Sequence, residues 1–327
     1  MISARISILA LLLPMAAACA PSRPGPDRVF VSDEGANLVH VIDGASGQIE
    51  GALRTGPRPR GLALSPDGRT LFVAAGRANR VERWDTRTLA IQGVIEGLSD
   101  PERIALSPDG RTLYVADEDS STVSFVDLAR GAVKQRIAVG PEPEGIGVSP
   151  DGRTVIATSE VAGVAHLIDA ASGRIRANLP TGSRPRDVLF RKGGSEAWIS
   201  SEQSGTISVY ALPSGHLLRR LDLPALMPDR ETVQAVELKQ TTDGRRLFVA
   251  LGRGDGVAEL DPADGRLLRV FPTGHRTWGI GLSPDGKRLY AAAGLSGDLT
   301  VVNLVANRVA RTVALGGKPW TALAAAR

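Results

Sequence analysis

Charged and aromatic side chains recur in this chain at a fixed step. Arg60, Glu102, Glu144 and Arg186 stand 42 residues apart, and after one longer step the register resumes at Val236, Trp278 and Trp320. Two residues before each lie Arg58, Asp100, Glu142, Arg184, Gln234, Arg276 and Lys318. Carboxylates beside guanidiniums can exchange protons or orient a polar ligand, and indoles supply flat apolar walls. These positions vary while the residues around them repeat, the opposite of what packing alone would produce. The candidate site for a ligand or partner is therefore Arg58, Arg60, Glu102, Glu144, Arg184, Arg186, His275, Trp278 and Trp320. A plainer reading competes with it: Arg60 pairs with Glu102, Glu144 pairs with Arg186, and the two tryptophans plug a core.

Other chemistry is poorly supplied. His40 and His166 are 126 residues apart, three periods, so they hold equivalent places in different units. His216 follows a Ser-Gly turn, and only His275 falls near the variable positions. No His, Asp and Glu set has metal-ligand spacing, and no nucleophile elbow is present, so neither a catalytic residue nor a metal is expected. Asp117-Glu118-Asp119 lacks the alternating oxygen ligands of an EF-hand and reads as a wet acidic rim. No cofactor is expected from the residues.

The elements that must position these side chains are short strands. Asp-Gly turns, most of them Pro-Asp-Gly, end at Gly68, Gly110, Gly152, Gly244 and Gly286, with Lys192-Gly193-Gly194 replacing the turn in the fourth unit. Between turns run short Val-, Ile- and Leu-rich segments with a spacing near two, as in Glu144–Ser149, Thr154–Thr158, Gly163–Asp169 and Ile175–Pro180. Four strands per unit of about 42 residues without helices predict an all-β propeller. Seven first strands can be counted. The last, Trp320–Ala325, has no strand after it, while Arg28–Ser32, Leu38–Asp43 and Gln48–Arg54 have none before them. The C-terminal strand is predicted to join these three and close a seven-bladed ring, which removes an exposed edge.

The chain has 327 residues and a net charge of +4, with arginines scattered and no basic run, which argues against nucleic-acid binding. Residues 1–18 read as a secretory signal: Arg5, an apolar run from Ile6 to Met15, then Ala16-Ala17-Ala18. Cys19, the only cysteine, resembles a lipobox cysteine and is the candidate lipidation site. Residues 19–27 form a Pro-rich spacer and 28–327 the propeller. A monomer anchored to the outer membrane in the periplasm is expected.

The phrases Thr112-Leu113-Tyr114-Val115-Ala116 and Val123-Ser124-Phe125-Val126-Asp127 resemble those of the YVTN β-propeller family of extracytoplasmic repeat proteins. Arg58-Pro59-Arg60-Gly61, Glu142-Pro143-Glu144-Gly145, Trp198-Ile199-Ser200-Ser201-Glu202, Lys318-Pro319-Trp320 and the Pro224–Val236 excursion resemble a subgroup of that family, the propellers associated with PQQ-dependent catabolism. The leading expectation is an exported, non-enzymatic propeller that binds a small molecule or partner protein at the channel mouth, and the resemblance implies that it is accessory to PQQ-dependent alcohol or aldehyde oxidation. Its partner would be a quinoprotein dehydrogenase or a transport component. Two alternatives remain open: a lactonase-like hydrolase on the same fold, using Glu102, Glu144, Arg186 and His275, and a surface adhesion or scaffold module.

Overall fold

The computed structural model describes residues 26–327. The signal segment, Cys19 and most of the spacer lie outside the described residues. Within them the chain forms seven four-stranded antiparallel sheets, the blades of a propeller. The inner strands of blades 1 to 6 are Pro59–Leu64, Pro101–Leu106, Pro143–Val148, Pro185–Arg191, Leu238–Gln240 and Thr277–Leu282. Blade 7 has Pro319–Ala326 innermost, followed outward by Asp27–Asp33, Leu38–Asp43 and Ile49–Arg54.

That closure is the predicted one. Asp27 faces Ala326 and Phe30 faces Leu323 in an antiparallel ladder. Asp33 secures the junction, accepting the Lys318 N–H at 2.7 Å and those of Gly35 and Ala36 at 3.0 and 2.9 Å. The ring therefore leaves no open inner edge at the chain ends.

Each turn is built from its own side chains. Asp109 accepts from Ser107 Oγ at 2.6 Å and from the Arg111 N–H at 3.0 Å, while Ser107 Oγ accepts the Thr112 N–H at 2.9 Å. Gly110 takes the positive φ of 68° that this turn requires. In the fourth unit a short 3-10 turn, Lys192–Gly194, does the same work with Gly193 and Gly194 at positive φ.

The core sits between blades. Leu62, Leu71, Val73 and Trp84 of blade 1 pack with Phe30, Val39, Val41 and Leu53 of blade 7, so each sheet buries its faces against a neighbour. The excursion before blade 5 contains a four-residue helix, Leu223–Leu226, capped by Asp222. Its Leu223 and Met227, with Val233 and Ala235 further on, pack around Trp198. Val236, expected to begin the inner strand of blade 5, lies two residues before it and bonds the Ala250 carbonyl at 2.9 Å.

Candidate active site at the channel mouth

The loops leading into the inner strands ring one mouth of the channel. Arg58, Asp100, Glu142, Arg184 and Arg276 all have left-handed backbone, with φ between 47° and 61°. A non-glycine residue held there costs on the order of 1–3 kcal/mol, and such strain concentrates at functional sites. Three of these residues are pinned by the preceding blade. The N–H groups of Arg58, Asp100 and Arg276 donate to Asn37, Asn79 and Asp255 at 3.0, 2.9 and 2.8 Å. Just inside the mouth the strands crowd together. A methyl group on Gly145 or Gly279 would run into the backbone carbonyl of Arg186 or Trp320.

The first cluster joins blades 7, 1 and 2. Arg60 Nη1 donates to both carboxyl oxygens of Glu102 at 2.8 Å, and its Nε reaches Glu34 at 2.7 Å. Arg58 contacts Asp100, Glu102 and Glu118, the last at 3.2 Å. Oxygens of those three carboxyls lie within 4.8 Å of one another. Three acids so close could share a cation, but the Arg58 guanidinium already lies against all of them.

Glu102 is the unusual member. Its side chain is 0 % exposed. Burial outweighs the pull of Arg60 and Arg58, and with the hydrogen bond to Glu118 it pushes the Glu102 carboxyl up to about 8. That same hydrogen bond, with Arg58 behind it, holds Glu118 below the usual range against the effect of burial. The pair thus shares a proton at neutral pH, and Glu118, 27 % exposed, is the member that meets solvent.

The second cluster lies on blades 3 and 4. Arg186 pairs with Glu144, with Glu202 at 2.5 Å and with Glu160 at 3.2 Å, while Arg184 pairs with Glu160. Gln234 donates to Glu202 at 3.2 Å. Burial, opposed by Arg184 and reinforced by Glu202, raises the Glu160 carboxyl.

Trp278 and Trp320 stack between the clusters, centroids 6.3 Å apart at 26°. Both are buried, 7 % and 4 % exposed, so their faces serve guanidiniums and not an open wall. Arg60 and Arg103 lie 5.1 and 5.0 Å from the Trp320 ring, and Arg186 and Arg276 lie 5.0 and 4.4 Å from the Trp278 ring. Deeper along the channel a chamber of about 140 Å³ is lined by Arg103, Asp187, Glu237 and Lys239. Glu237 accepts from Arg103 at 2.8 Å, from Lys239 at 2.7 Å and from the Ile280 N–H at 2.7 Å. Burial would raise Glu237, but Lys239 and Arg103 hold it below the usual range. A cleft of about 620 Å³, lined in part by Arg28, Phe30, Arg69 and Arg87, shares no residue with the mouth.

Of the nine positions expected to form the site, eight meet in these contacts. His275 does not join them. It is 75 % exposed and pairs with Asp255 at 2.7 Å. Glu34, Glu118, Glu160 and Glu202 were not among the nine, yet each completes a cluster. They carry a signal of their own, since 34, 118, 160 and 202 fall on the same 42-residue register with Gly76 at the missing step. The acidic loop at Glu118 is thus part of the site and not merely a wet rim.

An antiparallel-bladed ring with a polar, strained mouth defines the class. The chain belongs to the YNCE-like beta-propeller family, whose match spans residues 3–324. No curated protein matches it. Among solved structures it is similar to the periplasmic gluconolactonase PpgL of Pseudomonas aeruginosa. Identity there is 26 % over 92 % of this chain and 99 % of that one, with a TM-score of 0.75. A Bacteroides uniformis protein described only provisionally as a 6-phosphogluconolactonase is 18 % identical over 92 % and 100 % of the two chains, with a TM-score of 0.74. Hydrazine synthase of Kuenenia stuttgartiensis is 22 % identical over 80 % and 88 %, with a TM-score of 0.70. The last two likenesses speak for the fold alone.

The gluconolactonase likeness corrects the leading expectation from the sequence. A non-enzymatic propeller serving PQQ-dependent oxidation is displaced by the lactonase alternative. The resemblance to PQQ-associated propellers had favoured the first reading because it rested on blade phrases, which govern packing more than chemistry.

Proposed function

We propose that the protein hydrolyses a sugar lactone at the channel mouth, with Glu102 and Glu118 as its acid–base pair. The observation that carries this reading is that pair: one carboxyl buried and protonated near neutral pH, its partner open to solvent, and Arg58 on both. Full-length likeness to a gluconolactonase supports it.

Lactone opening needs a base for the attacking water, positive charge for the oxyanion, and an acid for the departing ring oxygen. Glu118 takes the proton from water as its oxygen bonds to the carbonyl carbon. Arg58 faces the negative charge that develops. The ring C–O bond then breaks, and the proton held by Glu102 passes through the pair to the alkoxide. Water and lactone become one hydroxy acid, and the pair ends with the proton it began with.

The signal-like residues 1–18 and the periplasmic gluconolactonase neighbour support a periplasmic location, with lipidation of Cys19 as the finer form of that proposal. The blade phrases named above support placement in the PQQ-associated subgroup of the family. Acid release from gluconolactone above the spontaneous rate, lost in Glu118→Gln, tests the activity.

A further inference from the structure

Beside the first cluster lies a pocket of about 290 Å³ lined by Glu34, Gly35, Asn37, Arg58, Arg60, Arg77 and Lys318. Four of the seven are cationic and one is acidic. Arg58 and Arg60 are committed to Asp100, Glu102, Glu118 and Glu34. Arg77 and Lys318 are different. Among the described residues, neither the Arg77 guanidinium nor the Lys318 ammonium has an ion-pair or hydrogen-bond partner.

Their placement is fixed by backbone. Arg77 sits in the 3-10 turn Gly76–Ala78, whose Gly76 N–H donates to the Arg58 carbonyl at 3.0 Å. Lys318 precedes the closing strand, and its N–H is held by Asp33 at 2.7 Å. Two solvent-exposed positive charges without a carboxylate partner therefore border one cavity that Arg58 and Arg60, the groups that touch the acid–base pair, also line.

A neutral sugar would make no use of either charge, which water would go on solvating. The corresponding groove on the other side of the mouth, whose lining includes Glu142, Glu160, Thr181, Ser183, Arg184 and Gln203, has acids, hydroxyls and an amide suited to sugar hydroxyls. The two sides of the mouth thus differ in sign.

We infer that this pocket receives an anionic group, a phosphate or a carboxylate, carried by the substrate, so that the lactone opened at the mouth is that of an acidic sugar. The inference rests on the hydrolytic reading for the reaction, but the anion contact can be measured without turnover. Guanidinium and ammonium groups bind such oxyanions through charge-assisted hydrogen bonds.

The test uses the mature protein and the double variant Arg77→Ala/Lys318→Ala, neither residue belonging to the acid–base set. Turnover of gluconolactone, phosphogluconolactone and glucarolactone is compared, and binding of glucose, glucose phosphate and glucuronate is measured by calorimetry. Thermal melting checks that the variant is folded, and Arg77→Lys/Lys318→Arg serves as the charge-conserving control.

The wild type should prefer one anionic lactone over gluconolactone by roughly tenfold or more in kcat/KM, the scale of a charge-assisted contact. The double alanine variant should lose that preference and keep its rate on gluconolactone. The preferred arm, phosphate or carboxylate, identifies the group. If wild type and variant treat all three lactones and all three sugars alike, the anion pocket is overturned while hydrolysis stands. If no lactone is opened but glucose phosphate or glucuronate binds through Arg77 and Lys318, the pocket stands and the hydrolytic reading falls.

Discussion

Arg60 Nη1 meets both carboxyl oxygens of Glu102 at 2.8 Å across the boundary between blades 1 and 2, and the same guanidinium lies 5.1 Å from the Trp320 ring of blade 7. One side chain thus ties three blades at the mouth. A half-buried guanidinium that gives Nη1 to Glu102 and Nε to Glu34 while lying over an indole is hard to replace with lysine, whose ammonium offers neither two separate donors in a plane nor the flat face. Glu102, proposed for catalysis, is thus held by a side chain that also ties neighbouring blades together.

Glu118→Gln should lower kcat on a hydrolysable lactone by about a hundredfold or more, the usual range for a general acid–base group, with KM little changed. Glu102→Gln should lower kcat as well, because the amide has no carboxyl proton to pass on. Steady-state kinetics on both variants, with folding checked by melting, decides this. An unchanged kcat in Glu118→Gln removes the residue from the mechanism.

Activity should depend on pH through the pair. Glu102 must be protonated, and its pKa is pushed up to about 8, so kcat should fall as pH rises through about 8. On the acid side, Glu118 must be ionised, and because its pKa lies below the usual range the acid limb should fall below that range too. A pH–rate profile, corrected for spontaneous opening, measures both limbs. In Glu102→Gln the alkaline limb should disappear from whatever rate remains.

Stability should follow pH in the opposite sense from a salt-bridged acid. Between about 4.5 and 8 the folded state keeps a proton on Glu102 that the unfolded chain has released, so stability declines as pH rises across that window. Asp117, buried and raised to about 6, adds a decline between about 4 and 6. Melting temperatures should therefore drop from about pH 5 to about pH 8. Glu102→Gln should flatten the upper part of that fall and Asp117→Asn the lower part.

The ring was legible in the sequence because five of the seven blades write the same Asp-Gly turn. Ser107 and Asp109 hold their turn with side-chain bonds, and Thr241 and Asp243 hold theirs the same way, so the pattern survives in letters. Arg60, Glu102, Glu144 and Arg186 were legible for a related reason: equivalent places that refuse to repeat stand out against those that do. Glu34, Glu118, Glu160 and Glu202 were missed because they do repeat, and Glu118 in its acidic loop reads as a solvated rim. Their role depends on which arginine faces each one, a relation between blades that no single unit contains. Arg103 and Glu237, which meet at 2.8 Å, are 134 residues apart and lie one step inside the mouth, where other blades carry glycine, threonine or, at Asp187, an aspartate.

Trp278→Ala with Trp320→Ala should cost stability before it costs specificity. The two indoles are buried and carry four guanidiniums, so their removal leaves a cavity and strips those cations of their supporting faces. A single buried tryptophan truncation costs about 3–5 kcal/mol, so either single variant should melt well below the wild type. Equal melting temperatures would mean that the indoles are not core.

The acid–base pair is tested most directly by the alkoxide-producing reaction itself. Wild-type protein and Glu118→Gln, equal in melting temperature, are mixed with a panel of neutral and acidic sugar lactones near pH 7, and hydroxy-acid release is followed. Turnover above the spontaneous rate is expected for at least one lactone, together with its loss in Glu118→Gln. Turnover that persists in Glu118→Gln, or none from the wild type with any lactone, would contradict it.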